Sequence, residues 1–189
     1  MPASFYPFGF VPIEHRTGGK PELDFLPGGI ASGYGSNIFI GDPVKFVTAG
    51  VLNVAAAGDA MSGVFAGVEF VDAAGKQTRL PYWPASQVAT RINVLWYRDP
   101  DIIYRVQASA TLAQTSIGDA TDHQLGSGDV KSGKSRASLN VSLVGAGNSA
   151  QWKIKDIDKV AGNAWGDTYP IALVIMNELN LGLVPGNAI

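Results

Sequence analysis

One stretch of the chain matches a catalytic pattern in both residue types and spacing. Gly128-Asp129-Val130-Lys131-Ser132-Gly133-Lys134-Ser135 satisfies G-x-x-x-x-G-K-[ST]. In a nucleotide hydrolase such a loop aims backbone N–H groups at the phosphates. Its lysine reaches the β- and γ-phosphates, and its last hydroxyl holds Mg²⁺. That chemistry needs a buried strand before the loop and a helix after it, whose N-terminus faces the anion. Here residues 119–124 are polar, and residues 136–144 alternate at period two, which is a strand pattern. The acidic partner would have to be Asp99, after the apolar run 94–97, but this lies upstream of the loop in a hairpin-like setting. The segment reads as a surface loop, and no nucleotide cofactor is expected.

The other reactive side chains are weaker candidates. His15 and His123 lie far apart, neither in a metal-ligand spacing, and His15 beside Glu14 reads as a solvated or interface residue. Cysteine is absent, which excludes thiolate zinc sites and favours a protein made in a reducing cytosol. No G-x-S-x-G elbow occurs. Asp156 and Asp158 flank Ile157 on a predicted strand, where pairing with Lys153 and Lys155 accounts for them. The expectation is therefore a protein that is not an enzyme, with no catalytic residues, no metal and no cofactor.

What remains is aromatic. Phe5, Tyr6, Phe8, Phe10 and Phe25 sit in a segment otherwise dominated by proline and glycine, and Trp83 lies in a rigid loop between Pro81 and Pro84. Rigid rings dominate interface energies, so these six are the expected partner-binding residues. Trp83 together with the polar loop 118–136 also opens an alternative, a carbohydrate-binding or host-adhesion module.

The elements that must carry these rings fall into three parts. Residues 1–36 hold five prolines and seven glycines, too many for any long regular element. They read as an extended arm whose rings find pockets on another surface or on its own body. Residues 37–179 form a β-rich body. Strands are predicted over 38–40, 44–47, 64–71, 91–97, 102–106, 137–144, 150–160 and 171–176, separated by turn signals such as Gly41-Asp42-Pro43 and Asp99-Pro100-Asp101. One helical turn is expected over 85–90, and 118–136 is expected to be a surface excursion. Residues 180–189 form a tail. The pattern is all-β, an antiparallel barrel or sandwich of jelly-roll-like kind.

Composition says how such a body lives. Charged residues make up 16% of the chain against a usual share of about 25%, while hydrophobic residues reach 46%. So little charge leaves apolar surface to be covered, which points to a homo-oligomer or assembly component. The net charge of −2 gives no footprint for direct nucleic-acid binding. No apolar run approaches the roughly 18 residues of a membrane span, and residues 1–10 lack the basic start of a secretory signal.

Several segments resemble a group of small structural proteins of tailed phages. They are Asn37-Ile38-Phe39-Ile40-Gly41-Asp42-Pro43-Val44, Gly63-Val64-Phe65-Ala66-Gly67-Val68-Glu69-Phe70 and Tyr82-Trp83-Pro84-Ala85. Near the end come Asn163-Ala164-Trp165-Gly166-Asp167 and Val174-Ile175-Met176-Asn177-Glu178. The resemblance is to head decoration or cement proteins. It implies a compact β-barrel or β-tulip fold with an extended terminal arm, often trimeric. It also implies binding to the major capsid protein on the capsid exterior, after synthesis in the host cytoplasm. No catalytic residues come with it. The aromatic arm 1–36 and the loop 118–136 have no counterpart in the resemblance.

Overall fold

A computed structural model of the protein describes residues 4–143, 145 and 150–179. The arm contributes β1 (Val11–His15) and β2 (Asp24–Pro27). The body begins with β3 (Ile38–Phe39), β4 (Pro43–Phe46), β5 (Leu52–Val54), β6 (Gly63–Asp72), β7 (Gln77–Leu80) and β8 (Tyr82–Trp83). It continues with β9 (Ala89–Tyr97), β10 (Ile102–Gln107), β11 (Ala120–Thr121), β12 (His123–Gln124), β13 (Ser138–Leu139), β14 (Trp152–Ile157) and β15 (Ile171–Met176). The fold is all-β, and every named strand pair is antiparallel. Among the described residues no helix is long and apolar enough to cross a membrane.

Of the two larger sheets, one runs β1-β10-β15-β14-β11 and the other β2-β9-β6-β4-β5, with β7 also paired to β6; β12-β13 and β3-β8 form two two-stranded sheets. Each larger sheet has its own apolar core. The first gathers Phe10, Tyr104, Leu139, Trp152, Val174 and their neighbours. The second gathers Ile38, Val44, Phe65, Val68, Trp83 and Trp96. The long strand β6 serves both: Val64 faces the first core, Phe65 and Val68 the second. Strict alternation would put Phe65 and Val68 on opposite faces. A register shift between Phe65 and Gly67 resets the parity. Gly67 makes the bulge possible, since its φ of 139° lies in a region that L side chains rarely adopt.

The arm closes both sheets at their edges. β1 pairs with β10, and β2 pairs with β9. The proline and glycine content predicted no long element here, and none forms; strands of five and four residues do. Edge strands tolerate Pro12 and Pro27 because one side of each needs no ladder donor.

Four local expectations are corrected. Residues 85–90 form no helical turn: 85–86 make a tight turn in which Ser86 takes φ 60° and its N–H donates to Tyr34 O at 2.7 Å, and Ala89 and Thr90 already belong to β9. The alternating run 137–144 is strand only over Ser138–Leu139 and then tightens into a 3₁₀ turn at Val141–Leu143. Asn140 Oδ1 accepts from the Ser142 N–H and hydroxyl, a side-chain turn that competes with the ladder. The segment 118–136 is not wholly a surface excursion. Ala120, Thr121 and His123 are buried, with β11 paired to β14 and β12 to β13. A bulge between Ile154 and Asp156 likewise changes the charge partners expected on β14. Asp156 pairs with Lys159 at 3.2 Å, with the Lys155 charge adding to it, and Asp158 pairs with Arg105 at 3.4 Å. The tail 180–189 and Val144 lie outside the described residues.

Candidate partner-binding surface

From Ser4 onward the arm lies against its own body, held by side chains that reach its backbone. Gln107 spans two points: its Oε1 accepts from the Tyr6 N–H at 2.8 Å, and its Nε2 donates to Ser4 O at 2.9 Å. Arg136 holds the next turn of chain. Its Nη1 donates to Pro7 O at 3.0 Å, its Nη2 to the Tyr6 hydroxyl, and its guanidinium lies 3.7 Å from the Tyr6 ring centroid.

The crossing point is Gly9. Its N–H donates to Ala137 O at 3.2 Å, and the next, from Phe10, donates to Gly41 O at 2.9 Å. Gly9 takes φ 78°, and a Cβ there would sit 2.6 Å from Ser135 Cβ and 2.9 Å from Gly41 O. No other residue type fits this passage without displacing the loop beneath. Directly below is Asp42, whose Oδ2 accepts from the Phe39 N–H at 2.8 Å. Burial pushes its carboxyl up to about 6, against smaller opposing effects of its hydrogen bonds from Ser135 and Phe39.

Past Gly9, the Phe10 ring is stacked on Trp152 at 4.0 Å and 11°, with His123 edge-on to it at 6.0 Å. His123 is buried and held at both ring nitrogens, Nε2 to Ala55 O at 2.8 Å and Nδ1 to Trp152 Nε1 at 3.4 Å. Nε2 therefore carries the proton and Nδ1 accepts, which is the neutral ring. Burial pushes the His123 pKa down, in agreement.

The six rings expected to bind partners thus divide. Phe5, Tyr6 and Phe25 are exposed at 42%, 66% and 58%, and Phe8 is half-buried. Phe10 and Trp83 are corrections: at 1% and 0% exposure both belong to the two cores and have no surface to offer. Trp83 folds inward because β8 pairs with β3 and its ring packs against Phe70 at 5.5 Å. Its burial also removes the ring on which a sugar-binding face depended. Phe5 packs against Tyr169 at 5.1 Å, so Phe5 and Tyr6 share one end of the molecule, while Phe25 projects from β2 on the other sheet.

The phosphate-loop pattern has none of the geometry its chemistry needs. Residues 128–135 form a tight turn in which Asp129 and Lys134 bridge, and the strand β13 follows instead of a helix. The Asp129 carboxylate already occupies the turn, accepting from the Lys131 N–H and the Ser132 hydroxyl. His15 reaches Asp99 at 3.2 Å and lies near Asp101, but Asp101 is paired with Arg16, so this cluster is accounted for by its own charges.

Sequence reasoning missed Gln107, Arg136, Asp42 and His123. The Gly-Asp-Pro turn signalled a bend at Asp42 without signalling burial. Nothing local marks Gln107 or Arg136, whose partners lie about a hundred residues away.

Fold and surface together define an antiparallel all-β protein with an aromatic arm folded back along it. No family model, curated protein or solved structure matches the chain.

Proposed function

We propose that this chain is a virion structural protein of a tailed phage that binds the outer surface of the capsid and cements neighbouring major capsid subunits. The observation that carries the reading is the pair of exposed rings, Phe5 and Tyr6, on an arm whose backbone is pinned by Gln107, Arg136 and Gly9. Rings held on a fixed backbone lose little entropy on docking, which favours affinity. The charge-poor composition and the resemblance of residues 37–179 to decoration proteins support the same reading.

The role is linkage. A protein that binds the assembled lattice and not its separated subunits stabilises the lattice by mass action. Homo-oligomers, trimers in this reading, would multiply that effect through local concentration. Heating purified DNA-filled heads that lack and then regain the protein tests the proposal. DNA retention to a higher temperature on addition is the expected result, and identical release curves would refute it.

A further inference from the structure

The arm, β10 and the 128–135 turn meet around a cavity of about 230 Å³ lined by Phe8, Val11, Ile40, Arg105 and Lys134. Its apolar wall is open to solvent, with Val11 and Ile40 at 37% and 38% exposure. Its frame is backbone: the Ile40 N–H donates to Gly133 O and the Ser135 N–H to Ile40 O, both at 2.9 Å. Both charged groups in it are cations. Arg105 lies 5.5 Å from the Phe8 ring centroid and spends one contact on Asp158 at 3.4 Å, while its buried Nε–H has no acceptor among the described residues. Lys134 is exposed and forms no ion pair among the described residues.

These features select an occupant. Small-molecule sites usually span about 300–1,000 Å³, so this cavity is of side-chain scale. Two cations beside an apolar wall ask for one anionic group next to one apolar group. A nucleic-acid backbone would instead need a string of phosphate contacts, and the chain as a whole is acidic, at −2. We infer that the cavity docks an acidic and aliphatic peptide segment of the partner protein. A carboxylate sits on Lys134 and Arg105, and the neighbouring aliphatic side chain rests on Phe8, Val11 and Ile40. The inference rests on the partner-binding reading above and adds the chemistry of the partner's contact segment. Because Phe8 and Val11 belong to the arm, docking of the arm builds the site.

Amide-shift titration by NMR of the full chain tests it with two probes, acetyl-Leu-Glu-Leu-amide and acetyl-Leu-Gln-Leu-amide. The glutamate peptide should shift the amides of Phe8, Ile40 and Lys134, and the glutamine peptide should bind about tenfold more weakly. Lys134→Glu should abolish the shifts, while Lys131→Glu, exposed on the same turn outside the cavity, should keep them. Three results would overturn the inference: no shift with either peptide, equal shifts with inorganic phosphate or oligothymidylate, or the same shifts on raising protein concentration alone, which would make a second copy the occupant. Sedimentation with heads separates the two claims. Head binding without a peptide response defeats the cavity alone, and a peptide response without head binding defeats the capsid reading alone.

Discussion

Phe5 and Phe10 are five positions apart in one proline- and glycine-rich segment, yet they meet opposite fates. Phe10 is stacked in the first core at 1% exposure; Phe5 lies on the surface at 42%. The boundary between them is Gly9, where the chain crosses the Gly41–Asp42 turn through a gap that admits no side chain. Beyond that crossing the arm is structurally part of the body. Before it, Gln107 and Arg136 tie down the backbone, Arg136 also holds one side of Tyr6 and Tyr169 one side of Phe5, and the outer faces of both rings stay exposed. One segment can thus carry both a core ring and presented rings, with a tight crossing between Phe10 and the rings before it, and with Phe25 presented again from β2.

The largest effect is expected from Phe10→Ala. Removing a fully buried ring should cost about 3–5 kcal/mol, read as a lower urea midpoint with unchanged slope. For the same reason deletion of residues 1–12 is not a clean test of docking, since it removes core.

Asp42, beneath the crossing, offers a pH-dependent handle. Its carboxyl titrates at about 6 in the folded protein against an ordinary 3.8. The native state therefore holds this proton more tightly than the unfolded chain. The stability it confers is present below 3.8 and lost as pH rises through about 6. Asp42→Asn should remove that loss, so variant minus wild-type stability should grow by up to about 3 kcal/mol between pH 4 and pH 7. His123 works in the opposite sense: its lowered pKa means stability is lost as pH falls below the ordinary 6.5. His123→Gln should flatten the loss of stability on going below 6.5, whereas Asp42→Asn should remove a loss of opposite sign as pH rises from 3.8 through about 6.

Gly9→Ala tests the boundary itself. With φ 78° and a Cβ 2.6 Å from Ser135, the substitution should cost about 1–3 kcal/mol. Hydrogen exchange at the Phe10 and Tyr6 amides should speed up together, since both hang on the same crossing. The smallest expected effect is on the outer half. Phe5→Ser and Phe25→Ser should each change the unfolding free energy by within about 0.5 kcal/mol, because these rings are surface substitutions.

How much of this was legible in the residues follows the same division. Strands β6, β9, β10 and β15 announced themselves, because each carries an unbroken apolar pattern between turn signals. The 128–135 pattern was correctly read as a loop, since what followed it alternated. Legibility failed where a residue's fate depends on a distant partner. Nothing near Phe10 distinguishes it from Phe8 or Phe5; Trp152, which captures it, is far along the chain. Nothing near His123 indicates burial, because its neighbours are polar and its own hydrogen bonds are completed by the distant Ala55 and Gln151. Trp83 looked like a presented ring because prolines flank it, but a two-residue pairing with β3 turns it inward.

The most direct test is sedimentation of the Phe5→Ser/Phe25→Ser variant, which leaves the Tyr6–Arg136 contact in place, with purified heads alongside the wild type. The account predicts a folded variant with a near-unchanged melting curve that no longer sediments with the particles. A folded variant that sediments as fully as the wild type would contradict it.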